Sequence, residues 1–343
     1  MAGLAGLVLI AGCSAGGSDE QASGHAPRAV RTAPAVASVP RLVSAADKRL
    51  PVEEFLLSNV QRDRLDGART VLVERCMARF GFAYRAPAAP KVFRPRTLTQ
   101  LRYGITDAAA AARRGYTPVG AVRGQPGRRP AESLTARESL VLNGTDDPAV
   151  KPGSAHADSG ARVNGRAVPV GGCHGEALRA LHADNPQAGG DAPIADRINM
   201  ETFAASRRDG RVTTAYARWS ACMKAHGHRY ARPEEAASDP AWRTRTASAR
   251  ERAVATADAR CKAQVDLVGI WYAVEVAYQR QAVEQNADRL ARVRADLRLR
   301  QRLAGTVLNE HRRASRTALV PGPPDALAGE SRNGSHHPTL PRN

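Results

Sequence analysis

Between Pro240 and about Arg313 the sequence contains no further proline, and glycine occurs only at Gly269 and Gly305. Along this stretch Val254, Cys261, Val265, Val268, Tyr272 and Val276 lead on to Gln279, Val283, Leu290, Val293 and Leu297. The steps are mostly three, four and seven residues, the spacing that keeps side chains on one face of a helix. An unbroken helix of this length would reach roughly 100 Å at about 1.5 Å per residue. No ordinary domain is that long. Either the distal half packs on a partner or on the rest of the chain, or the helix bends near Gly269 or Gly305. A chain that commits so much of itself to one helical stripe is expected to be mainly α.

The remaining segments agree with that class. Ser58 to Phe80 carries Leu65, Leu72, Cys76 and Phe80 near helical spacing, and Gly81 follows as a stop. From Arg85 to Pro130 the chain is rich in proline, glycine and arginine, so irregular structure is expected there, with a short helix only at Ala108 to Arg114. Thr135 and Glu138 have capping-box spacing, opening a short surface helix that ends at Asn143 and Gly144. A helical turn or more is expected over Leu178 to His182, a helix over Ala192 to Ser206, and another over Val212 to His226 with Val212, Tyr216, Trp219 and Met223 on one face.

A helical core built from this composition is short of large side chains. Only 4% of the 343 residues are aromatic, and alanine makes up much of the apolar fraction. Cysteines can supply the missing stability. Setting Cys13 aside, four remain: Cys76, Cys173, Cys222 and Cys261. Two segments align in register: Arg75-Cys76-Met77 through Gly81 and Tyr84 to Pro87, and Ala221-Cys222-Met223 through Gly227 and Tyr230 to Pro233. In each, cysteine sits in the last turns of a helix that glycine ends. Of the three possible connectivities, such a duplication favours Cys76 with Cys173 and Cys222 with Cys261, each half (46–185 and 190–313) pairing its own cysteines. Each bridge typically contributes on the order of 2 to 4 kcal/mol.

The amino terminus places these cysteines in an oxidising compartment. Residues 3 to 12 form an apolar run too short to span a bilayer as a helix but long enough for a signal-peptide core. Ile10-Ala11-Gly12-Cys13 resembles the lipobox of bacterial lipoproteins, in which the cysteine thiol receives a diacylglyceryl group before cleavage. The charged segment that should precede the apolar core is missing, which points to a start upstream of Met1. Residues 1–12 thus read as a signal peptide and 13–45 as the lipidated Cys13 with a flexible tether rich in small residues. Residues 46–313 read as the helical domain, and 314–343 as a disordered tail.

With the lipobox, the two Cys-Met segments, Tyr103-Gly104-Ile105, Gly171-Gly172-Cys173 with Gly175-Glu176-Ala177, and Cys261 ahead of Trp271, Glu275 and Gln279 taken together, the chain is similar to actinobacterial lipoproteins of unassigned function. The resemblance covers about residues 45 to 300. It implies a disulfide-stapled, membrane-anchored protein on the extracytoplasmic face, and implies no chemistry.

The net charge of +18 is carried mainly by arginine. An arginine-rich, alanine-rich composition arises by codon drift, and the competing reading is an anionic partner, which outside a cell means lipid headgroups or wall polymers. Scattered arginines, few aromatics and export argue against nucleic acid. A nucleophilic Cys173 assisted by Glu176 would need a free thiol. Asp258 and Glu275 fall near the apolar stripe, where a paired-carboxylate hydrolase would place its acids; the more ordinary expectation is that each pairs with an arginine. Cys222, His226 and His228, or Cys173 with His174, match no metal-site spacing, and His336-His337 lies in the tail. No catalytic residue, metal or cofactor is assigned. The expected function is a binding or interaction module in the cell envelope, with membrane lipid through Cys13 and an envelope protein or anionic wall polymer as partners; the alternative is an extracytoplasmic hydrolase of wall or lipid substrates.

Overall fold

The computed structural model describes residues 33–87, 93–123, 134–183 and 193–319. Residues 1–12, Cys13 and the end of the tail lie outside them. The fold is mainly α. Its helices are α1 (Asn59–Arg79), α2 (Thr99–Arg102), α3 (Ala108–Arg114), α4 (Ala136–Asn143), α5 (Gly172–Ala180), α6 (Pro193–Arg208), α7 (Gly210–Ala225), α8 (Pro233–Ala237), α9 (Ala249–Gln264), α10 (Leu267–Gln285) and α11 (Ala287–Leu319). Short 3-10 turns cover Pro51–Phe55 and Pro240–Trp242, and one antiparallel hairpin joins β1 (Arg162–Val163) to β2 (Arg166–Ala167). No helix among the described residues is long and apolar enough to cross a membrane.

The two Cys-Met segments end their helices in the same way. After α1, Gly81 takes a φ of +81°, and the Phe82 amide donates to the Met77 carbonyl at 3.2 Å. After α7, Gly227 takes a φ of +82°, and the His228 amide donates to the Met223 carbonyl at 2.9 Å. Only glycine adopts that left-handed position at little cost, so both segments carry it at the same offset from cysteine. Met77 and Met223 are fully buried. Beyond these caps the halves are not separate units. The segment carrying α2 and α3 from the first half packs on α9 and α10 of the second, and α1 lies along α11.

The long apolar stripe is three helices rather than one. It breaks at Val265-Asp266, where Asp266 is left-handed with a φ of +54°, and at Asn286, whose carboxamide donates back to the Ala282 carbonyl at 2.7 Å. The first break falls three residues before Gly269, near which a bend is expected, whereas no break lies near Gly305; the two glycines themselves are not the bends. Each lies inside a helix and admits a neighbour: a Cβ on Gly269 would strike the Pro40 carbonyl, and one on Gly305 would strike the Arg64 guanidinium. The distal helix packs on the rest of the chain, with Leu65 and Ala68 of α1 against Ala304 of α11. It also continues to Leu319, past the expected end near Arg313.

Three other expectations change. Residues 34–45, assigned by composition to the tether, lie against the helices: Val36 and Leu42 pack on the main core, Ala45 is buried, and the Leu42 amide donates to Asp266 Oδ1 at 3.2 Å. The helix opened by Thr135 is not a surface element, since Val141 and Leu142 are buried beside Cys76 and Cys173. Helix α5 begins at Gly172, well before Leu178. Gly144 and Gly172 have backbones so close that a Cβ on either would meet the other's amide nitrogen.

The scarce aromatics are concentrated. Trp271 is stacked on Phe203 at 5.6 Å between ring centroids, and Tyr103 and Tyr216 lie at 5.1 and 5.4 Å. Its indole donates to Ser206 Oγ at 3.0 Å. One dense cluster thus replaces aromatic side chains spread through the domain.

Candidate functional site

Helices α9 and α10 bury a row of polar side chains on the face that also carries the apolar stripe. Glu251, Asp258, Lys262, Glu275 and Gln279 are each at most 1% exposed. Each carboxylate is answered by a cation. Arg123 pairs with Glu251, which also accepts the Tyr116 amide at 2.9 Å. Lys262 donates to Asp258 Oδ2 at 2.9 Å and to the Ile105 carbonyl at 3.1 Å, while the Trp219 indole donates to Asp258 Oδ1 at 3.0 Å. Arg102 pairs with Glu275 at 2.5 Å, and the Tyr103 hydroxyl donates to its other oxygen at 3.0 Å. Burial pushes the carboxyls of Asp258 and Glu275 above the usual range, against the opposing pull of Lys262 and Arg102.

Arg102, Tyr103, Ile105, Tyr116 and Arg123 all come from the irregular segment around α2 and α3. The row therefore fastens that segment to the core. The expected partner of Asp258, an arginine, is instead one of the chain's few lysines, four residues along the same helix. Glu275 does pair with an arginine. Glu251 and Lys262 were absent from the sequence-based candidates, although Glu251, Asp258 and Lys262 interrupt the apolar face of α9 at seven- and four-residue steps. Neither Asp258 nor Glu275 is open to a substrate.

Cysteines Cys76 and Cys173 form one disulfide, and Cys222 and Cys261 the other. Cys76 and Cys222 lie at equivalent helix ends, but their partners differ: Cys173 is near the start of α5 and Cys261 near the end of α9. The bridge occupies the Cys173 sulfur, so the nucleophile reading has no thiol to use. Glu176 pairs with Arg79 at 2.5 Å. Cys222, His226 and Cys261 bring potential ligand atoms within 4.8 Å of one another. Because two of them are the disulfide sulfurs, this group is a staple beside a histidine. His174 sits half-buried, 3.5 Å from the Arg69 guanidinium, and burial followed by that charge lowers its pKa.

A different surface carries open charge. A groove of about 1010 Å³ runs between the 3-10 turn at Pro51–Phe55, residues 94–98 and the middle of α11. Seven arginines and two glutamates line it. Arg294, Arg298 and Arg302 stand at four-residue intervals, which sets them about 6 Å apart along α11. Arg94 and Arg96 flank Pro95 opposite them, and Arg49 and Arg62 complete the rim. Arg94 pairs with Asp63 at 2.5 Å and Arg294 with Glu54 at 2.8 Å. The guanidinium groups of Arg49, Arg62, Arg298 and Arg302 have no ion-pair or hydrogen-bond partner among the described residues. Glu53 forms no ion pair with them; its Oε1 accepts the Leu50 and Leu98 amides at 3.1 and 3.3 Å. Of this site only the repeat on α11 is visible locally in the sequence. Comparison with protein-family models, with curated proteins and with solved structures finds no match to this chain.

Proposed function

We propose that the chain is a lipoprotein anchored through Cys13 on the extracytoplasmic face of a membrane, and that it works as a binding module for an anionic ligand of the envelope. The observation that carries the binding reading is the arginine groove. Its open guanidiniums offer the planar, bidentate donors that suit phosphate and carboxylate. The contrast with the acids supports it: Asp258 and Glu275 are buried and held by cations, and Glu176 is held by Arg79, whereas a hydrolase needs an acid that can reach substrate. The two disulfides, the short apolar run at residues 3 to 12 and the lipobox-like Ile10 to Cys13 support export.

Two measurements test this. Intact mass of the protein from a membrane fraction, taken without reductant, should begin at acylated Cys13 and show no free thiol. Retention of Met1 with four free thiols would sink the anchored reading. Binding of long-chain polyphosphate to the full chain should weaken as salt rises and drop by at least tenfold when Arg298 and Arg302 are both replaced by alanine. Unchanged binding in that variant would remove the groove from the function.

A further inference from the structure

The groove is charged at its rim but not on its floor. Leu56, Leu57, Leu98 and Leu297 line it between the arginines. All four are half-buried, so each still offers apolar surface to the groove. Leu56, Leu98 and Leu297 are also the outer layer of the cluster around Phe55, Ile198 and Val293, so the floor is backed by packed core and cannot easily fold inward. The Arg294 guanidinium lies over the Phe55 ring at 4.7 Å, which spreads its stem across the same apolar wall and holds its charge at the edge.

A site for a purely polar polyanion gains nothing from a leucine floor. Such a ligand leaves apolar surface wet, and its hydrated backbone would lose water against leucine without replacement. A molecule with an anionic head and a hydrocarbon chain fits both parts. Its head would take the open guanidiniums of Arg298 and Arg302, and its chain would cover the floor. The volume, about 1010 Å³, is large enough for a headgroup together with part of a chain. We infer that the groove binds an anionic amphiphile, a phosphate-bearing head with at least one alkyl chain. This deepens the anion-binding reading and rests on it.

The test is calorimetric titration of the full, disulfide-bonded chain with alkyl phosphates kept below their aggregation concentrations: ethyl, hexyl, octyl and decyl phosphate. Dodecyl maltoside and long-chain polyphosphate serve as comparisons. Affinity should rise up to about fourfold for each methylene that reaches the floor, from about 0.8 kcal/mol per buried methylene. It should fall at least tenfold in the Arg298→Ala, Arg302→Ala variant. Leu98→Gln should flatten the chain-length dependence. Because the series is run on the unmodified chain, the inference does not depend on any variant folding.

Equal affinity for ethyl and decyl phosphate, with polyphosphate binding lost in the arginine variant, would overturn the amphiphile and leave the anion site standing. Dodecyl maltoside binding as tightly as decyl phosphate would overturn the role of charge. Failure of every anion to bind would overturn both readings.

Discussion

Replacing Lys262 by methionine keeps most of the volume of the lysine stem and removes only its charge. Lys262 is 1% exposed and Asp258 is fully buried, so no water can take the place of the ammonium. Asp258 would keep the Trp219 indole at 3.0 Å, and the Ile105 carbonyl would lose its donor. Breaking a buried ion pair from one side costs about 3 to 5 kcal/mol, because the remaining charge is uncompensated. In a domain of this size that lowers Tm by on the order of 10 °C. The loss should also depend on pH with a definite sign. Burial already raises the Asp258 carboxyl, and the ammonium opposes that rise; without it the folded value climbs further. A carboxyl whose folded value lies above its unfolded value, about 3.9, contributes most below that value and loses its contribution as pH rises through the folded value. The deficit of the variant relative to the parent should therefore be small near pH 4 and grow towards pH 7. The assay is urea unfolding at several pH values, followed by fluorescence of the buried tryptophans. Adding Asp258→Leu to Lys262→Met should recover part of the loss at pH 7, though not all, since the Trp219 indole would then lack an acceptor. A Lys262→Met variant within 1 kcal/mol of the parent at every pH would refute the argument.

Three further outcomes are expected. Gly305→Ala should be neutral or stabilising by up to about 1 kcal/mol from helix propensity, because the Arg64 guanidinium can swing away; Gly269→Ala should destabilise by about 1 to 3 kcal/mol, because its Cβ meets the Pro40 backbone. Thermal unfolding of the pair should thus give Tm shifts of opposite sign, or a shift for Gly269→Ala alone. Removing the Cys76–Cys173 bridge, with a separation of 97 residues, should cost about 0.8 kcal/mol more by loop-closure entropy than removing Cys222–Cys261, with a separation of 39, as read from denaturant midpoints. His174, whose folded pKa is lowered, contributes stability that is complete above about pH 6.5 and is lost as pH falls through its folded value. His174→Gln should therefore flatten the stability profile between pH 7 and 5, and an unchanged profile would show that this histidine is not buried as described.

The sequence made the helices legible wherever local chemistry sets them. Ser58 with Gln61 and Thr135 with Glu138 cap α1 and α4, and the glycines after the two Cys-Met segments stop their helices at matching positions. What escaped was set by distance along the chain. The break at Asn286 lies where neither glycine nor proline marks it, and Gly269, three residues past the break at Asp266, takes its own role from Pro40, more than two hundred residues earlier. Periodicity found the apolar stripe but hid Glu251 and Lys262, since a charged side chain on a core face is interpretable only once its partner from the α2–α3 segment is known. The arginine groove was least legible. Its rim is assembled from three remote stretches, and composition alone favours codon drift over selection for an anionic partner.

The segment from Pro34 to Ala45 has a mechanical consequence. If Cys13 carries lipid, as proposed, a pull between membrane and domain would enter the fold along this segment, whose grips are the Arg211 guanidinium on the Pro34 carbonyl at 3.0 Å and the Leu42 amide on Asp266. The grips hold the amino-terminal ends of α7 and α10, so traction from the Cys13 side would reach the start of α7 first and the joint between α9 and α10 second. The Cys222–Cys261 bridge ties the end of α7 to the end of α9, just ahead of that joint. If Cys13 is the anchor, as proposed, the length of chain from Cys13 to Pro34 sets an upper bound of about 70 Å on the distance between the anchor and the first grip.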